Sequence, residues 1–113
     1  MSEAEFDPTK YRDNPEAIAA YLTEKFEQND FAEILNSFNR VMRAQNVQAI
    51  AREAGLRRDR LYKTFGGDID PQLGRVMALF RALGVRLAVR PLPRRDLSQR
   101  PKLGRPRKPR QEG

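Results

Sequence analysis

The chain has no cysteine, no histidine and no tryptophan, and the first two absences each remove a class of chemistry. Without thiolates or imidazoles there is no nucleophilic cysteine, no zinc cluster and no imidazole general base, so most hydrolase mechanisms and transition-metal sites lack their reagents. No apolar run approaches the roughly 20 residues that a bilayer-spanning helix needs, so a soluble chain is expected. The opening Met1-Ser2-Glu3-Ala4-Glu5 is acidic with no apolar stretch behind it, the reverse of a secretory or transit signal, which points to the cytoplasm. At 113 residues the chain fits one small domain plus an appendage and leaves little room for a multi-step enzyme. Asp68 and Asp70 beside Gly66-Gly67 lack a phosphate loop and read as capping groups rather than magnesium ligands. Neither catalysis nor a cofactor nor a metal is expected; the chain reads as a binding protein.

The positive charge is abundant and unevenly spread. Residues 1–33 hold 3 Lys/Arg against 9 Asp/Glu, residues 34–89 hold 10 against 4, and residues 90–113 hold 9 against 2. A polyanion such as double-stranded DNA would be drawn to the last two sections and repelled by the first. The acidic section then either faces solvent or meets a cationic protein.

Helix signals dominate the middle of the chain. Residues 1–13 show no periodic pattern and read as an extended N-terminal arm that packs through Phe6 and Tyr11 or through a partner. Asn14-Pro15 starts a helix that buries Ile18, Leu22 and Phe26. Asp30 followed by Glu33 resembles a capping box. It opens a second helix whose stripe of Phe31, Ile34, Leu35, Phe38, Val41 and Met42 should be core. A third helix covers about 47–54 and a fourth 58–65, ended by Gly66-Gly67. A fifth starts at Asp70-Pro71, turns Leu73, Val76, Met77, Phe80 and Leu83 inward, and stops at Gly84. Beyond it Val85, Leu87 and Val89 alternate with Arg86, Ala88 and Arg90, which predicts one short strand. A lone strand needs a partner, and the same strand in a second copy would supply it as a homodimer. Residues 91–113, with 5 prolines and many cations, cannot bury a core and should be disordered.

The segment from Val47 to Lys63 has the pattern of a helix-turn-helix. Ala51 is small where two helices cross, Gly55 sits where the chain turns with positive φ, and Ile50, Leu56 and Leu61 lock the interhelical angle. That angle lets the second helix project into a major groove. Its outer face carries Arg57, Arg58, Asp59, Tyr62 and Lys63, a mixture able to contact phosphates and base edges, with Gln48 on the preceding helix as a further DNA contact. Arg57 stands at the N-cap, where Ser, Thr or Asp would satisfy a free N–H.

Four stretches together carry a family resemblance: Ile18-Ala19-Ala20-Tyr21-Leu22, Ile50-Ala51-Arg52-Glu53-Ala54-Gly55-Leu56, Leu61-Tyr62-Lys63, and Leu79-Phe80-Arg81-Ala82-Leu83-Gly84-Val85-Arg86-Leu87. From about Tyr11 to Leu87 the chain resembles the addiction-module antidote family, the HigA-like antitoxins of type II toxin–antitoxin systems. The resemblance implies an all-α, five-helix, phage-repressor-like helix-turn-helix domain over residues 14–90. It further implies a dimer that binds its own operator as an autorepressor and neutralises a RelE/ParE-like toxin. The other reading, a stand-alone transcriptional regulator or nucleoid-associated protein with no toxin, stays open. The tail run Pro101-Lys102-Leu103-Gly104-Arg105-Pro106-Arg107-Lys108-Pro109 is similar to an AT-hook. Arg105, Arg107 and Lys108 would enter an A·T-rich minor groove or meet phosphates without selecting sequence.

Overall fold

Short polar side chains ahead of apolar periodic stretches set where the helices begin. In the computed structural model, which describes residues 6–93 and 96–103, the order is α1 (Pro8–Tyr11), α2 (Pro15–Gln28), α3 (Phe31–Arg43), α4 (Val47–Ala54), α5 (Arg58–Thr64) and α6 (Leu73–Leu83). Carboxylate or amide oxygens of Asp7, Asn14, Asp30 and Asn46 accept from the backbone N–H of Thr9, Ala17, Glu33 and Ala49 at 3.1–3.3 Å. Each cap satisfies a donor that the helix cannot, worth ~1 kcal/mol. The described residues are helical without a strand, in agreement with the all-α class.

Among the described residues six helices stand where five are predicted, because Asp7-Pro8 is a second cap-plus-proline start that closes one turn inside the supposed arm. Phe6 stacks on Tyr11 at 4.9 Å and both lean on Tyr21, at 5.3 and 5.1 Å, so the two aromatics pack within the same chain. Buried Gln45 ties this turn to the end of α3: its Nε2 donates to Tyr11 O at 2.8 Å and Val41 O at 2.9 Å, and its Oε1 accepts from Asp13 N at 2.9 Å. Arg12 adds a donation to Ala44 O at 2.8 Å.

The core joins α2, α3, α4, α5 and α6, with Ile18, Val41, Met42, Leu61 and Leu79 fully enclosed. Phe38 is its hub, touching the rings of Phe26, Phe65 and Phe80 at 6.0, 6.4 and 5.4 Å. These contacts join α3 to the end of α5 and to α6. Asn39 Nδ2 donates to Phe65 O at 2.8 Å and so occupies a carbonyl just past the end of α5. Between α2 and α3, Glu33 accepts from Lys25 Nζ at 3.0 Å and from Arg40 Nη1 at 2.8 Å. The same Arg40 nitrogen donates to Tyr21 Oη at 3.0 Å. Lys25 is only 3% exposed, which its pairing with Glu33 makes tolerable. The capping box is therefore half formed: Asp30 caps Glu33 N, but the Glu33 side chain turns to the two cations instead of back to its own helix start.

Three further expectations change. Residues 85–90 take no regular structure, and no strand among the described residues is there to pair with them. The sixth helix starts at Leu73 with Gln72 as N-cap, not at Asp70-Pro71. Leu73 is 65% exposed, so no burial holds an earlier turn. Finally, Phe26, Phe31, Leu73 and Met77 are exposed rather than core. They lie at the ends of α2 and α3 and along one face of α6, where no other described element covers them.

Candidate nucleic-acid interface

The geometry of α5 follows from the turn before it. Gly55 takes φ 74°, a left-handed value that costs glycine little, and ends α4. Leu56 N then donates to Ala51 O at 2.9 Å, and Gly55 N to Arg52 O at 3.2 Å. Ala51 is buried under the crossing. Seven residues long, α5 is anchored by Leu61, Thr64 and the following Phe65, all buried. With those side chains inward, the ~100° step per residue of a helix turns Asp59 and Lys63 outward and puts Arg58 and Tyr62 on one flank and Arg60 on the other.

The sequence-predicted residues fall into two groups. On one flank Arg58 and, from the end of α3, Arg43 bracket the Tyr62 ring, with guanidinium carbons 5.7 and 4.6 Å from its centroid. Such cation–π contacts hold the half-buried ring and leave both guanidinium edges free to donate. On the other flank Arg57, Asp59 and Lys63 line a concavity together with Arg60 and Arg75. Arg57 makes no cap; its Nη2 lies 3.2 Å from Asp59 Oδ2, in an exposed pair. The Arg57 guanidinium holds the Asp59 carboxyl below its ordinary range. Gln48 is exposed in the first turn of α4 and belongs neither to the Tyr62 contacts nor to the lining of the concavity. Arg105, Arg107 and Lys108 lie outside the described residues.

Sequence reasoning weighs Arg60 and sets it aside, since its spacing can place it toward solvent or a neighbouring Glu, and it does not reach Arg43 or Arg75. Arg60 is legible as the second flank of a short helix, but nothing in linear order brings residues 43 and 75 to α5. The acidic N-terminal section is also less available than its composition suggests. Glu33 is committed to Lys25 and Arg40, Asp7 and Asp30 cap helices, and Glu27 meets Arg90 at 3.5 Å. Glu16 and Glu24 remain exposed on α2.

Apolar surface gathers elsewhere. Phe26, Phe31, Ile34, Leu35, Phe38, Leu73, Val76 and Leu87 line an open groove of about 470 Å³. No helix among the described residues is long and apolar enough to cross a membrane.

Residues 2–91 match the family described as probable addiction module antidote protein. An uncharacterized protein of Haemophilus influenzae strain KW20 Rd is 33% identical over 85 residues, 75% of this chain and 88% of the relative. No solved structure matches the chain.

Proposed function

The chain belongs to the probable addiction module antidote family, and from that premise we propose that it is the antitoxin of a toxin–antitoxin pair, a non-catalytic regulator. It binds operator DNA through a helix-turn-helix formed by α4 and α5, represses its own transcription, and neutralises a small basic toxin of the RelE/ParE-like kind. The observation that carries the DNA part is α5 itself. Its inner side is buried through Leu61 and Thr64, while Arg58, Asp59 and Lys63 are exposed, with half-buried Tyr62 on the flank between Arg58 and Arg43. A major groove admits such a helix, and an arginine there reads guanine by a bidentate contact.

One helix this short contacts few base pairs, too few to single out an operator, so two copies acting on two half-sites are required. The groove at Phe31 and Leu73 supports a homodimer seam there in place of the pairing of residues 85–89: exposed apolar surface of this kind is stabilised by a second copy of itself. The exposed carboxylates of α2 complement the cationic surface that a toxin acting on RNA needs. The tail adds affinity through its cations.

The test is binding to the duplex upstream of the protein's own gene, followed by fluorescence anisotropy. Arg58→Ala should weaken binding by about 1–3 kcal/mol and relax base preference, whereas Lys63→Ala should weaken all duplexes alike. A wild-type protein that binds no duplex better than a scrambled one refutes the operator reading. Purification from its own cells without a stoichiometric small basic partner refutes the antitoxin reading.

A further inference from the structure

The concavity between α5 and α6 has a cavity volume of about 320 Å³ and is lined by four cations, Arg57, Arg60, Lys63 and Arg75, against one carboxylate, Asp59. That carboxylate is already paired with Arg57. Arg60, Lys63 and Arg75 therefore converge with no acidic partner among the described residues. Arg75 is the informative member, since it comes from α6, is half-buried rather than splayed into solvent, and has no ion pair there. Partial burial removes part of the hydration of Arg75, while Arg60 and Lys63, exposed beside it, add like charge. A solvated charged face would spread such groups apart. Anions are therefore attracted to the concavity.

We infer that this concavity holds a phosphate of the DNA backbone, gripped by Arg60 and Arg75, beside the groove that α5 enters. The inference rests on the reading of α5 as the groove-facing helix. A helix in a major groove runs between two sugar–phosphate walls, and the flanks of α5 carry one arginine pair each. Arg43 and Arg58 meet over Tyr62 on one side, and Arg60 and Arg75 flank the concavity on the other. Arginine suits the task because its planar fork donates two parallel hydrogen bonds to phosphate oxygens. Arg60 and Arg75 thus set how deeply and at what register α5 sits, without reading a base.

The experiment uses the full chain and fluorescence anisotropy across a range of salt concentrations. It compares wild type with Arg60→Gln, Arg75→Gln, the double variant and Arg75→Lys, all checked for an unchanged melting temperature. For the double variant, affinity should fall by the same factor, of the order of tenfold or more, on the upstream duplex and on a scrambled one. Its salt slope should shrink by about 0.9 for each phosphate that the variant no longer neutralises. Arg75→Lys should recover part of the affinity. A single methylphosphonate in place of the contacted phosphate should cost wild type affinity and cost the double variant nothing. Wild-type affinity and slope in the double variant, while Arg58→Ala still weakens binding, overturns this proposal and leaves the DNA reading standing. A weakening confined to one sequence overturns it as well, since the residues would then read bases. No duplex binding by wild type overturns both. Tight uptake of inorganic phosphate at Arg75, seen by NMR and not displaced by duplex, assigns the concavity to a free anion and overturns the backbone source.

Discussion

Replacing Glu33 by Gln keeps the shape of the side chain and removes its charge, which isolates the electrostatic part of the α2–α3 contact. Two cations would then face a neutral amide, and one of them, Lys25, is 97% hidden from solvent. Breaking a buried pair from one side costs roughly 3–5 kcal/mol. The Glu33 side chain is itself 23% exposed, so water relieves part of this and about 2–3 kcal/mol is expected. The hydrogen bond from Arg40, with that of Lys25 behind it and against the opposing effect of burial, brings the Glu33 carboxyl down from 4.5 to about 2. Such a displacement corresponds to about 3 kcal/mol, in line with the contact argument. Because the folded value is the depressed one, the contribution is complete above about pH 4.5 and is lost as pH falls through about 2. Thermal unfolding by circular dichroism at pH 7 should show the variant melting ~10–20 °C below wild type for a domain of this size. The gap should close progressively between pH 4.5 and pH 2, because protonation of Glu33 does to wild type what the substitution has already done. A gap under about 3 °C at pH 7, or one that stays constant down to pH 2, would refute the reasoning.

Three other outcomes follow from the same structure. A Cβ on Gly84, at φ 86°, would lie 2.9 Å from Pro15 Cγ, whereas one on Gly55, at φ 74°, meets nothing within 4 Å. Gly55→Ala should therefore cost ~1 kcal/mol from backbone strain alone and Gly84→Ala at least ~2 in denaturant titrations; equal costs would remove the Pro15 contact from the account. Leu73→Glu puts a charge on a side chain that is 65% exposed, so the monomer should fold normally. Self-association in sedimentation experiments should be lost if α6 forms the dimer seam, and an unchanged dimer places the seam elsewhere. Deleting residues 98–113 removes 6 Lys/Arg and should lower the salt slope of DNA binding by up to about 5 while leaving base preference intact; an unaltered slope means that the tail does not touch DNA.

Local signals in the sequence were sufficient for much of the chain. Asn14-Pro15, Asp30, Gly55 and Gly84 mark helix ends that the structure reproduces, since a cap or a left-handed stop depends on atoms within a few residues of itself. The exposure of Asp59 and Lys63 on α5 was legible for the same reason: with Leu61 buried, helical periodicity alone gives their direction, whereas Tyr62, expected outward, is half-buried against the core. At Asp70-Pro71 a correct local signal failed, because Leu73 finds no neighbour to bury it and the helix forgoes the earlier turn.

Order along the chain also determined the segregation of charge, acidic first and basic last, which no folding can undo. It could not determine which apolar stripe is covered. Periodicity places Phe31 and Leu73 on the same faces as Phe38 and Val76, but whether a face is buried depends on which element packs across it. Nor could it bring Arg43 onto Tyr62 or Arg75 beside Arg60. Those meetings join helices far apart in the chain, and only the packing of α3 and α6 around Phe38 and Leu61 sets their distances.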